Sequence, residues 1–439
     1  MRRYLLLLLA LAACDRPLVD RAGPRVEVVR PASLDVVQAG AVLDLALRAD
    51  VFGTIDSVTV NRQRMRFDGG LSAYQADVAL SPGLNVLAVD VYADAERLGS
   101  DTLYAFRAAL APVTIPVSGS PAPVADAAVS ALDAGDVLLS GGAGADGTAR
   151  ASATRISVVG GVLRYDRVAL ATARAQHSST LLPDGRVLLV GGVASDAPGA
   201  RQLAGGAEVV DLGANTSAPV PVVDREGAPV SIERAGHAAR GLAVDGVFVL
   251  YLYGGLDDRN APSNTFDVFR WDDGTLVRLS PPLGTGGGSF PAFPAPVIAS
   301  VTPRGVAEAS SVVFGRSADA EAPTALRFDW LTATSPTYPF DLEARGAAPL
   351  AAPRSGAAAV ATDGFALVSG GTLANGTVTG TFEAYVPSVD RTFRFDGAAG
   401  LRTPRTDHSA TLLPDGRILI VGGRDATGAP LFSPEAFQL

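Results

Sequence analysis

"HSSTLLPDGRVLLVGG", from His177 to Gly192, returns 231 residues later as "HSATLLPDGRILIVGG", from His408 to Gly423. Thirteen of the sixteen positions are identical, and the other three exchange only small or aliphatic residues. Pro183-Asp184-Gly185 carries turn chemistry: Pro presets φ, Asp bonds the backbone ahead, and Gly accepts the left-handed conformation. The turn folds a strand beginning near His177 back onto "RVLLV", which is apolar on both faces, as a strand sandwiched between two neighbours must be. The Gly-Gly pair then lets the chain swing away where a side chain would clash. A sentence of this kind written twice points to a fold assembled from repeats.

The Gly-Gly mark closes an apolar run at Gly141-Gly142, Gly191-Gly192, Gly254-Gly255, Gly370-Gly371 and Gly422-Gly423, with a degraded copy at Gly315-Arg316. Successive intervals are 50, 63, 61, 55 and 52, and the out-of-step pair Gly160-Gly161 is assigned to the interior of the first repeat. A period near 50 with this mark resembles the kelch repeat, in which each unit is a four-stranded blade of a β-propeller. The resemblance covers about three quarters of the chain and implies an all-β fold, with a six-bladed kelch-type β-propeller over residues 111–439. Asp267, Glu383 and Glu435 lie thirteen residues after the first Gly of their marks, inside apolar runs similar to the third kelch strand, and Glu208 takes the same role after a longer loop. Each acid is expected to partner a backbone or Arg group of the next blade. The last repeat stops at Leu439 after three strands, which would leave an open edge. The strand-like run "PVTIPVSG" has no blade of its own, so a strand over residues 112–118 is expected to close the ring.

Residues 25–110 carry six or seven short strand-like runs, among them "VLDLALRAD" and "GLNVLAVDVYAD", with period-two alternation at Leu43, Leu45, Leu47 and at Leu87, Val89, Val91. The pattern resembles a small Ig-like β-sandwich of the kind common in bacterial envelope proteins. No cysteine lies inside it, so a disulfide-pinned antibody-type domain is excluded.

The first residues, "MRRYLLLLLALAAC", set two arginines before an apolar run too short to span a bilayer. Residues 1–13 are read as a signal peptide. Leu11-Ala12-Ala13-Cys14 resembles a bacterial lipobox, and the resemblance makes Cys14, the only cysteine of the chain, a lipid attachment point. Residues 14–24 then form a tether. The chain is thus expected to be exported and lipid-anchored in a bacterial cell envelope, at the outer membrane or cell surface in preference to the inner membrane. Asp15 resembles an inner-membrane retention signal of enteric bacteria, so the leaflet stays open. Cleavage would take the formal charge from −9 to −11, which argues against nucleic acid as a partner.

No catalytic residue, metal site or cofactor is assigned. His177, His237 and His408 all begin a first strand, three residues after Arg174, Arg234 and Arg405, so their recurrence follows from the repeat. The kelch resemblance extends to galactose oxidase, whose copper site needs a cysteine that this chain commits to lipid. Sialidase boxes are absent, and "GTGGGSF" lacks the Lys of a phosphate cradle. The loop after Asp257 does not have calcium-loop spacing, and Trp271 and Trp330 are assigned to packing at blade edges. The binding candidate is a rim where strands begin: Arg174, Gln176, Arg234, Arg354, Arg405 and Asp407. Arginines recurring around one concavity would attract a carboxylate-bearing ligand, while Gln176 and Asp407, which vary between blades, would tune it; any single arginine is equally accounted for by pairing with a third-strand acid such as Glu208 or Glu383. The expectation is a monomeric, non-catalytic binding or scaffolding lipoprotein whose partner is an envelope protein or glycan. The rival is a carbohydrate-binding or carbohydrate-active propeller with a loop-built site.

Overall fold

The computed structural model describes residues 25–50, 54–114, 122, 124–132, 135–159, 162–196, 201–244, 246–279, 291–301, 310–316, 324–332, 340–362, 364–395 and 400–439. Every regular element among them is a β-strand. The segments read as signal peptide and tether, with Cys14, lie outside the described residues, as do Gly160-Gly161 and the 284–290 loop. Two compact units meet in sequence between Ala108 and Ala109.

The first unit has two four-stranded sheets. One pairs Arg25–Arg30, Val42–Asp50, Ala73–Ala79 and Arg66–Asp68; the other pairs Gln63–Arg64, Ser57–Val60, Gly83–Ala93 and Glu96–Arg107. Alternation decides which faces are buried. Leu43, Leu45 and Leu47 from one sheet and Leu87, Val89 and Val91 from the other share a single core, while Asp44 and Ala88 point outward.

In the second unit the described residues form six larger sheets. Their first strands are Ala128–Ala131, Ser178–Leu181, Ala238–Val244, Val297–Val301, Ala358–Ala361 and Thr406–Leu412. Within each sheet the chain meanders antiparallel, and the second strands Val137–Ser140, Val187–Val190 and Ala366–Ser369 are buried at every position. Such runs suit strands covered on both faces. The third sheet carries one further strand, Val222–Val223, parallel to Thr275–Arg278 on its outer edge. The first strands neighbour one another in a cycle through all six sheets, and that of the sixth lies beside that of the first. In the sixth sheet the fourth place is taken by Ala111–Val113, which runs antiparallel to Glu435–Gln438 with Phe437 opposite Pro112. Residues 115–118 of the expected closing strand lie outside the described residues.

Candidate functional site

The glycine pairs are the joints between sheets. A Cβ on Gly191 (φ +63°) would stand 2.7 Å from the Arg234 carbonyl oxygen and 2.9 Å from His237 Cε1, both in the next sheet. A Cβ on Gly192 (φ +95°) would stand 2.5 Å from the Ala175 carbonyl oxygen of its own sheet. Only glycine fits both conformation and space. The close approach allows a hydrogen bond that recurs: Gly142 N to Arg174 O, Gly192 N to Arg234 O, Gly255 N to Phe293 O, Gly371 N to Arg405 O and Gly423 N to Val124 O, at 2.8 to 3.1 Å. The last of these joins the sixth sheet to the first.

The arginines do not form a ring of exposed guanidinium groups. Arg174, Arg354 and Arg405 are at most 1% exposed and Arg234 is 9% exposed. Each is clasped by the third-strand acid of its own sheet, Glu208, Glu383, Glu435 and Asp267 respectively for Arg174, Arg354, Arg405 and Arg234, and not by one in the next sheet as expected. The reason is register. The acid lies opposite the second-strand residue two places before the first Gly, as Leu189 faces Glu208 and Ile420 faces Glu435. The arginine enters beside that glycine, and Arg174 Nη1 donates to the Gly191 carbonyl at 2.8 Å. Glu208 also accepts from Ala171 N and Ser217 Oγ, so both carboxylate oxygens are used. Burial pulls the guanidinium pKa values of Arg174, Arg234, Arg354 and Arg405 below the ordinary range, and the paired acids oppose it. The first and fourth sheets lack the clasp. By the same register Val124 and Thr154 replace the pair in the first sheet, and Phe293 and Leu326 replace it in the fourth. Phe293 and Leu326 belong to one apolar cluster with Tyr253 and Phe328.

The histidines lie one layer further in. Nε2 of His177, His237 and His408 bonds Ser140, Ser178 and Ser369, each in the preceding sheet, at 2.8 to 3.0 Å. Burial and the neighbouring arginines hold all three pKa values far below the ordinary value, to about 3 for His237 and His408. They are neutral packing groups at neutral pH. Among the described residues no group of three or more His, Cys, Asp or Glu is placed to hold a metal ion.

What remains on this face is the residue just before each inner histidine or its equivalent. Asp126, Gln176, Gly236, Gly356 and Asp407 all have φ between +55° and +66°. Their backbones are strung together across the sheets: Gln176 N donates to Asp126 O, Gly236 N to Gln176 O, Asp407 N to Gly356 O and Asp126 N to Asp407 O, at 2.7 to 3.1 Å. Gln176 and Asp407 are therefore brought to one rim, with the clasped arginines beneath them as supports. Asp126 is the rim residue that sequence reasoning missed, although "VADA" aligns with "RAQH" once the first strands are matched. It bonds Arg424 at 3.0 Å, while Gln176 bonds Asp196, which Arg201 also holds. Burial, followed by the charge of Asp126, raises the pKa of Asp407 to about 7. The rim therefore carries Asp126, Asp196 and Asp407, with Arg424 and Arg201 engaged on the first two, where the sequence pointed to a cationic surface.

The other candidates have local explanations. Asp257 accepts from Arg259 N and Ala261 N in a tight Asx turn repeated at Asp224 and Asp425. Trp271 lies in the interior strand Phe266–Asp272 of the third sheet, packed against an apolar cluster with the Arg186 guanidinium 5.8 Å from its ring centre, and not at a blade edge as expected. The Trp330 side chain lies outside the described residues.

The architecture is that of a β-propeller-like, all-β protein. Among solved structures, that of YjhT, a protein of the kelch and β-propeller type, is similar to this chain with a TM-score of 0.52. The similarity covers 74% of this chain and 97% of YjhT at 14% sequence identity, so it speaks for the fold alone. No protein-family description and no curated protein matches the chain.

Proposed function

We propose that the second unit is a six-bladed kelch-type propeller closed by Ala111–Val113, that the first is an Ig-like spacer, and that the whole is a lipid-anchored envelope protein whose propeller rim binds a partner. The cycle of first strands and the Gly423 to Val124 hydrogen bond support the ring. The observation that carries the binding role is the rim itself: equivalent left-handed positions, tied together by backbone hydrogen bonds, display Asp126, Gln176, Gly236, Gly356 and Asp407. Beneath Gln176, Gly236, Gly356 and Asp407 the repeated charges are consumed in buried clasps, so what varies on this face is the displayed residue. A left-handed Gln is uncommon and persists where the surroundings over-determine it. The rim favours a partner that presents hydrogen-bond donors or cationic groups, in a protein or a glycan.

The test is capture. The soluble chain beginning at Arg25 is immobilised and offered envelope extract and a glycan array, beside a variant combining Asp126→Ala, Gln176→Ala and Asp407→Ala. A ligand retained by the first and lost by the second supports the rim; equal retention by a folded variant removes it. For the anchor, Cys14→Ser should abolish incorporation of labelled fatty acid and release the chain from membranes, since two or three acyl chains hold durably where one is marginal.

A further inference from the structure

Arg240 lines a cavity of about 450 Å³ to which the first strands of all six sheets contribute. Four residues beyond the rim position, the other strands carry Ser130, Thr180, Val360 and Thr411, so the third sheet alone among these places a charge at this level. Arg240 is exposed into that space and has no ion pair or hydrogen-bond partner among the described residues. No carboxylate stands among the cavity residues. Ser130 and Ser179 bond each other there at 2.5 Å, and Thr180 and Thr411 add two more hydroxyls. Leu181, Ile298, Val360 and Leu412 supply aliphatic wall.

A guanidinium walled by protein has fewer water dipoles around it than one on an open surface, so its attraction for an anion is stronger. Its planar fork matches a carboxylate in bidentate geometry. The acids of the rim do not pair with it: Asp126 and Asp407 precede the Arg240 level by four residues of strand, roughly 13 Å, and Asp126 is already held by Arg424. The volume lies within the roughly 300–1,000 Å³ typical of small-molecule sites, more than an inorganic ion fills, and the aliphatic wall gives it an apolar share. We propose that the cavity binds a small organic acid, its carboxylate on Arg240 and the neighbouring hydroxyls and its aliphatic body against Leu181, Ile298, Val360 and Leu412.

This site is separate from the rim and does not rest on it. Sodium hexanoate is titrated calorimetrically into the soluble chain from Arg25, into Arg240→Gln and into the triple rim variant. One hexanoate per chain, bound at least tenfold more weakly by Arg240→Gln and unchanged by the rim variant, is the expected result. In parallel, phenylglyoxal modification of Arg240 in the unaltered chain is followed by peptide mass spectrometry; hexanoate should slow it, whereas hexan-1-ol and sodium sulfate should not. Absence of binding, undiminished binding by Arg240→Gln, or equal protection by sulfate would overturn the proposal. Should Arg240→Gln fail to fold, the protection experiment decides alone.

Discussion

Replacing Glu208 by Gln removes one charge from a buried clasp without changing its shape. Glu208 Oε1 accepts Arg174 Nε at 2.7 Å, while Oε2 accepts Ala171 N at 2.9 Å and Ser217 Oγ at 2.8 Å. An amide has one acceptor end and one donor end. Whichever way the introduced amide turns, its NH₂ confronts an N–H donor, and the Arg174 charge loses its counter-ion at 1% exposure. Breaking such a pair from one side costs about 3–5 kcal/mol. At about 2 °C per kcal/mol for a large domain, the melting temperature should fall by roughly 6–10 °C. Asp272→Asn is the control, because the Arg270–Asp272 pair has 42% and 56% exposed side chains and is worth about 0–1 kcal/mol. Arg174→Met with Glu208→Leu should recover most of the loss, as apolar replacement of a buried pair is often neutral or better; Phe293 and Leu326 occupy the same two places in the fourth sheet. Calorimetric melts of the soluble chain read all four proteins. If Glu208→Gln melts within a degree of Asp272→Asn, or the apolar pair melts below Glu208→Gln, the buried clasps do not hold the sheets as described.

Gly191→Ala should destabilise far more than Gly185→Ala in urea titrations: both glycines have positive φ, but nothing lies within 4 Å of a Cβ on Gly185. The Gly185 change should cost only the left-handed strain of about 1–2 kcal/mol, whereas Gly191 adds a clash and endangers the Gly192 to Arg234 bond. Asp407 has a folded pKa near 7, above its ordinary 3.8, so the native state holds its proton more tightly and loses stability as pH rises through that window; urea midpoints of Asp407→Asn should therefore gain on those of the unaltered chain between pH 5 and 8. His408 works in the opposite sense, since its pKa is depressed to about 3; its contribution is present above pH 6.5 and fades as pH falls, and His408→Gln should flatten that decline. A chain beginning at Ala122 should melt earlier or aggregate compared with one beginning at Ala111, because Glu435–Gln438 loses its ladder partner; equal melting would place the seam elsewhere.

The propeller-like fold was legible because its joints are glycines, and a glycine required on both conformational and steric grounds leaves a mark that survives when strands diverge. Gly191-Gly192 and Gly422-Gly423 are such places. The destination of the arginines was legible only in part: pairing with a third-strand acid was open to each, but not which of them pair so or in which sheet. An arginine three residues before a strand reads the same whether its guanidinium faces water or curls back toward a third strand, and only the register that sets Glu208 opposite Leu189 decides it. The pairing within one sheet escaped for the same reason. Asp126 could have been found by aligning first strands, since its neighbours are small residues that keep the spacing. Arg240 gives no periodic signal at all: Thr180 and Thr411 occupy its place in the best-preserved repeats, and its meaning depends on what the other five first strands leave unfilled.

The seam at Ala111–Val113 and Glu435–Gln438 has a consequence in time. Its two strands are separated by more than three hundred residues, so the second is synthesised long after the first. Such distant partners raise contact order and slow folding. Until Glu435–Gln438 is available, Ala111–Val113 lacks its ladder partner and is an unpaired edge, open to any other extended chain. A molecule in which the two strands have not yet met is therefore aggregation-prone, and a chaperone that shields an extended edge would have its greatest effect in that interval.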